Sequence, residues 1–311
     1  MTHLIIQAPD LNDLNIEKIA AIACAGGIQK LGHTAARLLD VDPSEQTEIE
    51  KWCREMRIDC AFLDHIAHFA SCKILAMDMD STLVNIECID EIADMVGRKA
   101  EVAAITEAAM RGEITDFAES LTRRVALLKG VPVSALQKVY DERLRLNPGA
   151  DTLISTAKAS GLKIMLVSGG FTFFTERLRQ RLGLDAAHSN VLEVAGDTLT
   201  GRVLGDIVDA DGKAGHLREL AQRTGADASQ IIAIGDGAND LKMLALAEYS
   251  VAYRAKPVVR QQTNFALDVS GLDGVLNWFR LGAHGAPAKP TTHGALHPGE
   301  RVRIRARDRS A

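Results

Sequence analysis

Three continuous apolar runs set the rhythm of the chain beyond its first seventy residues: KILAM (Lys73 to Met77), LKIMLVS (Leu162 to Ser168) and QIIAIGD (Gln230 to Asp236). None alternates, which is the pattern of strands buried on both faces of a parallel sheet. Stretches with helical spacing separate them, predicting βαβ units and a doubly wound, Rossmann-like α/β sheet. Between the first two runs, residues 85–147 carry no strand signal. ECIDEIADMVG and FAESLTRRVALLKG place apolar residues at helical spacing, and each stops at a glycine, Gly97 and Gly130. Sixty residues far exceed a simple crossover, so an inserted helical cap over the strand ends is predicted.

Residues 1–72 read as a small α+β unit, with a strand at Leu4 to Ile6 and helices at Ile16 to Cys24 and Ser44 to Met56. The main α/β unit is expected over 73–283. Residues 284–311 are rich in Gly, Pro and His and end in ERVRIRARDRSA, a composition that predicts a disordered basic tail. A nucleic-acid arm is the weaker reading of that tail.

Composition narrows the class. With 47% apolar and 25% charged residues the chain can bury a sizeable core, and a net charge of −5 speaks against a broad nucleic-acid footprint. The five cysteines show no CxxC spacing, so reduced thiols are expected rather than a disulfide framework or zinc site. The N-terminus lacks a cationic start and an apolar core like those of signal peptides, and no run is long enough to span a bilayer. The expectation is a cytoplasmic protein with no nucleic-acid or membrane partner. The sequence leaves its oligomeric state open, a homodimer included.

The candidate chemistry lies where the apolar runs end. The first is followed by Asp78 and Asp80, the second ends in Ser168-Gly169-Gly170, and the third is followed by Asp236, Asn239 and Asp240. In open α/β sheets ligands bind beyond the carboxyl ends of the strands, so these residues are expected in one crevice. Converging carboxylates are stable together only with a cation or with raised pKa values; Mg²⁺, which takes a few carboxylates together with waters and a phosphate oxygen, suits Asp78 and Asp236, with Asp240 orienting them. Asp78 can attack phosphorus to form an acyl phosphate, while Asp80 protonates the leaving alkoxide and later activates water. Ser168 with the neighbouring amides, and Lys213 in DADGKAGHL, can meet the phosphoryl charge. Taken singly, DxD is common turn chemistry, GDGAND reads as a Gly-rich turn and Lys213 as a surface residue. Together and in this order they resist that explanation.

DMDST, SGGF, a lysine and GDGAND in this order resemble the haloacid dehalogenase superfamily of phosphohydrolases, and more closely its phosphoserine phosphatases. The resemblance runs from about Lys73 to Phe279 and takes in NIECIDEIA and SLTRRVALL of the insertion. The N-terminal segment is only loosely similar to ACT-like leaders. The resemblance implies Asp78 as nucleophile and Asp80 as acid/base, with Asp78, the Asp80 carbonyl and Asp236 on Mg²⁺ and Asp240 in support. It implies Ser168, Gly169, Lys213 and Asn239 at the phosphate, Glu87 at the substrate ammonium and Arg124 at its carboxylate. Met110 and Phe117 would close the pocket from the cap. Arg123 could replace Arg124 after a one-residue shift. The implied reaction is hydrolysis of O-phospho-L-serine, the last step of serine biosynthesis. A phosphotransferase acting on another alcohol such as homoserine, a phosphatase of an amine lacking the carboxylate, and a silent amino-acid sensor are the alternatives. His188 and His216 are expected to be surface or satisfied residues, since no second histidine stands at metal spacing from either. Trp278-Phe279 is expected to close a core.

Overall fold

The computed structural model describes residues 1–111 and 113–282, the side chain of Met110 excepted, and these residues form two compact units, one of residues 1–69 with the chain from Leu276 and one of residues 70–275. The predicted basic tail and the expected pocket-closing Met110 side chain lie outside the described residues.

The first unit has strands β1 (Thr2–Gln7), β2 (Gly27–Lys30), β3 (Ala35–Val41) and β4 (Asp59–Leu63), with helices α1 (Asp13–Ile22) and α2 (Gln46–Glu55). The sheet order is β2-β3-β1-β4, antiparallel throughout. Leu4, Ile5 and Ile6 of the central strand are fully buried with Ile19 and Leu38. Each such side chain contributes about 1.5–3 kcal/mol on burial. Asn12 caps α1 by accepting from the Asn15 amide, which is why the helix begins earlier than apolar spacing alone predicts. Arg37 is buried yet satisfied, its guanidinium donating to the carbonyls of Asn277 and Phe279. Phe279 also meets Phe69 edge-on at 5.3 Å, and Trp278 is buried beside it.

The second unit carries a seven-stranded sheet: β5 (Ile74–Met77), β6 (Lys163–Phe171), β7 (Ala186–Ala195), β8 (Thr198–Leu204), β9 (Ile231–Gly235), β10 (Tyr249–Tyr253) and β11 (Phe265–Leu267). Its order is β11-β10-β9-β5-β6-β7-β8, parallel except for edge strand β8. The chain runs outward from β5 on one side and returns to fill the other, so the β5 end is a topological switch point. All four residues of β5 are buried, as an unbroken apolar run inside a parallel sheet requires. The β7–β8 hairpin escapes the patterning because it lies at the sheet edge with Val191, Val194 and Leu204 exposed. Strand β6 runs three residues past Ser168, where strand-like spacing ends.

The insertion folds as α3 (Cys88–Met95), α4 (Lys99–Met110), α5 (Phe117–Ala126) and α6 (Val133–Lys138). Gly97 and Gly130 adopt φ of 72° and 81° just past helical segments, the left-handed stop that glycine permits. Its two linkers are tied together: Asn85 N donates to Arg145 O at 3.0 Å and Asn147 N to Leu83 O at 2.9 Å. The chain then continues through α7 (Ala150–Ala159), α8 (Thr172–Leu182) and α9 (Ala210–Thr224).

Candidate active site

Strand register fixes the floor of the site. Met77 pairs with Leu166 and with Ile234, so the residues just beyond these positions emerge side by side. Asp78 N still donates to Ile234 O at 3.0 Å, extending the ladder to the first carboxylate. The chain then leaves the extended form that the DxD spacing suggests. Met79–Leu83 make a tight irregular turn, in which Ser81 adopts φ 57°. Asp78 and Asp80 therefore open on one cavity because of a turn, not a pleat, and Met79 is buried away from it.

That cavity, about 640 Å³, is lined from the sheet side by Asp78, Asp80, Ser168, Gly169, Asp236 and Asn239, and from the cap side by Glu87, Phe117 and Arg124. The structure thus brings together nine of the residues singled out in the sequence. Two others stand behind the wall. Lys213 is fully buried, its Nζ 2.5 Å from Asp78 Oδ1 and 2.6 Å from Asp240 Oδ1. It is positioned by the first turn of α9, whose N-cap Asp209 accepts from Gly212 N at 2.8 Å. Asp240 accepts from the amides of Asp236 (3.2 Å) and Gly237 (3.0 Å), so it braces the loop bearing Asp236.

Close packing explains the glycines. A Cβ on Gly170 would lie 2.6 Å from Asp80 Oδ2, and one on Gly169 would lie 2.8 Å from the Phe117 ring. Ser168 Oγ accepts from Gly170 N at 2.8 Å. Asp80 Oδ1 accepts from Cys88 N at 2.9 Å, tying the second carboxylate to the start of the cap.

Burial dominates the electrostatics. It raises the Asp78 carboxyl well above the ordinary range, against the pull of Lys213 and with the push of Asp240, Asp236 and Asp80. Asp80 is raised by burial and held back by its bond from Cys88. Asp236 is pushed up to about 7 by burial and then by Asp240, although it accepts from Thr82 Oγ1 at 2.9 Å. Burial works against the Lys213 charge, but Asp240 and Asp78 outweigh it and hold the ammonium. Carboxylate oxygens of Asp78, Asp236 and Asp240 lie within 4.8 Å of one another. Two raised carboxyls in an all-oxygen cluster of three aspartates, with one lysine between two of them, fit a hard divalent cation.

On the cap side, Glu87 occupies the N-cap position of α3 without capping it and is pushed up to about 7 by burial and then by Asp80. Arg124 faces the cavity. Arg123 instead pairs with Glu119 at 2.5 Å on the exposed face of α5 and does not line the cavity. Sequence reasoning passed over Asp90, which lines the cavity and is the foremost carboxylate acting on Arg124. Its signal was its place one helical turn after Glu87. It also passed over Thr82 and Asn147, whose partners are remote in sequence. The rings of His188 and His216 stack at 3.8 Å, a pairing across 28 residues that only the fold creates.

Comparison with known proteins places this geometry. A haloacid dehalogenase-like hydrolase family model matches residues 75–245, and the model of a domain of unknown function matches residues 4–49. A phosphoserine phosphatase of Polaromonas sp. (strain JS666) is 59% identical over 208 residues, spanning 66% of this chain and 88% of that one. The unliganded structure of a probable phosphoserine phosphatase from Vibrio cholerae is 37% identical, with a TM-score of 0.76, over 89% of this chain and 85% of that one. A phospho-aspartyl intermediate analogue of phosphoserine phosphatase is 36% identical, with a TM-score of 0.63, over 67% and 99%. The chain belongs to the haloacid dehalogenase-like hydrolases, in the branch formed by the phosphoserine phosphatases. It is a metal-dependent phosphatase of a small phosphate ester. Among the described residues, no helix is long and apolar enough to cross a membrane.

Proposed function

We propose that the chain hydrolyses O-phospho-L-serine to L-serine and phosphate, with Asp78 as nucleophile, Asp80 as general acid and base, and Mg²⁺ as the ion. The observation that carries this reading is the charge layout of one cavity: the carboxylates Asp78, Asp80 and Asp236 on the floor, and on the cap side the carboxylate Glu87 and the one guanidinium, Arg124, beside Asp90 and Asp116. A substrate with an ammonium and a carboxylate beyond its phosphate needs that complementary pair, and the planar guanidinium can bind a carboxylate through two parallel bonds.

Asp78 attacks phosphorus in line as Asp80, in its protonated form, donates to the departing serine oxygen. Asp80 then takes a proton from water, which cleaves the aspartyl phosphate. Ser168, the amides beside it and Asn239 bind the phosphoryl oxygens, and Lys213 holds Asp78 from behind. Mg²⁺, held by Asp78, the Asp80 carbonyl and Asp236, would neutralise the charge that gathers on the phosphoryl group. Phe117 closes the cap side over Gly169.

Phosphate release from phosphoserine, with and without Mg²⁺, tests the reading. Asp78→Asn should lower kcat by on the order of 10³-fold or more. Substantial turnover by that variant would remove Asp78 as nucleophile. Added alcohols such as homoserine should leave the release of inorganic phosphate unchanged; an acceptor phosphate ester among the products would make the chain a transferase.

A further inference from the structure

Ser81 lies in the loop that carries both catalytic carboxylates, and its backbone is unusual: φ 57° and ψ −8°, a left-handed conformation that is unfavourable for a residue with a side chain. The surroundings hold it there. Ser81 N donates to Ile86 O at 3.2 Å. Asn147, buried on the return linker of the cap, points its amide nitrogen at the carbonyls of Ser81 (3.3 Å), Thr82 (2.8 Å) and Val84 (3.1 Å). Strain retained under such restraint points to a use.

The use is visible in the side chain. Ser81 Oγ donates to Glu87 Oε1 at 2.6 Å. Glu87 could cap α3, yet it makes no bond to the helix amides, and its second oxygen has no hydrogen-bond partner among the described residues. The hydroxyl thus holds one carboxylate oxygen, and the other is left as an acceptor at the cavity wall. A long side chain fixed in this way binds a cation without ordering itself first.

We infer that Ser81 is a positioning residue for ammonium recognition: its left-handed backbone and hydroxyl fix Glu87 so that the pocket prefers phosphate esters bearing an ammonium group. The inference rests on the reading of Glu87 as the group that meets the substrate ammonium. Its signature is selectivity, not overall activity.

The test compares O-phospho-L-serine with 3-phosphooxypropanoate, which keeps the phosphate and carboxylate but lacks the ammonium, in the wild type and in Ser81→Ala, Ser81→Gly and Glu87→Gln. For both Ser81 variants, kcat/KM for phosphoserine should fall about tenfold, mainly through KM, as expected for weakening a bond to a charged group. The value for 3-phosphooxypropanoate should stay within about twofold, so the preference collapses as it does in Glu87→Gln. Glycine accepts the left-handed backbone, so a matching loss in Ser81→Gly assigns the effect to the hydroxyl. An equal loss for both substrates, or a loss in the alanine variant alone, would show a purely structural role and overturn the inference. So would a preference that survives in both Ser81 variants while Glu87→Gln loses it. If Glu87→Gln keeps the preference, or the wild type does not turn over phosphoserine, the functional reading itself fails and takes the inference with it.

Discussion

Lys213→Met is the most demanding test of the site's electrostatics. Lys213 is fully buried between Asp78 and Asp240, at 2.5 and 2.6 Å, and both carboxylates are themselves buried. Methionine fills a similar volume and removes the charge, leaving two carboxylates with no buried counter-ion. Breaking a buried pair costs about 3–5 kcal/mol, because the remaining charge stays desolvated. At about 2–4 °C per kcal/mol for a unit of this size, melting should fall by roughly 6–20 °C in metal-free buffer at pH 7.5. Adding Asp240→Asn to this variant removes one orphaned charge and should recover part of the loss, a coupling that a double-mutant cycle reads directly. The deficit should also shrink toward pH 5. Burial already raises the Asp78 carboxyl, and without Lys213 it rises further, so the folded state can bind a proton there. A raised carboxyl stabilises the fold below its unfolded pKa and loses that contribution as pH climbs through the folded one. The assay is thermal unfolding of the four proteins of the cycle across that pH range. Melting of Lys213→Met within about 1 °C of wild type at pH 7.5, or no recovery with Asp240→Asn, would refute the argument that this lysine compensates two buried charges.

The other predictions concern the reaction centre and its closure. Asp80→Asn should slow both formation and breakdown of the phosphoenzyme, together by about 10²–10⁴-fold, seen in rapid-quench labelling with phosphoserine; wild-type turnover would remove Asp80 from the mechanism. In metal-free protein, Asp236 titrates at about 7, far above its unfolded value, so its contribution to stability should decline from about pH 4 and level off above 7. Saturating Mg²⁺ should flatten that decline and raise the melting temperature, and identical melting curves with and without the ion would argue against a site at the cluster. Gly169→Ala sets a methyl 2.8 Å from Phe117, an overpacking worth about 1–3 kcal/mol, and should lower kcat/KM for phosphoserine about tenfold. Phe117→Leu in the same chain should restore much of it. No rescue would mean that Gly169 is needed for something other than room beneath the cap.

The sequence by itself determined the sheet and the floor of the site. Unbroken apolar runs can be satisfied only inside a parallel sheet, and the residues that follow such runs must come out at its carboxyl edge. Asp78, Ser168 and Asp236 were therefore legible before any coordinates. The insertion was legible too, from its length and its glycine stops. Tertiary structure decided what local pattern does not carry. It turned Arg124 rather than Arg123 into the cavity, because only the packing of α5 selects a face. It buried Lys213, expected from the sequence at the phosphoryl group and taken singly as a surface residue, by closing α9 over Asp78 and Asp240. It stacked His188 on His216 and set Asn147 against the loop of Ser81 across 66 residues. Apolar periodicity reports which way a segment faces. The partners of a buried polar group are chosen by chain crossings that bring distant residues together, and these exist only once the fold has closed.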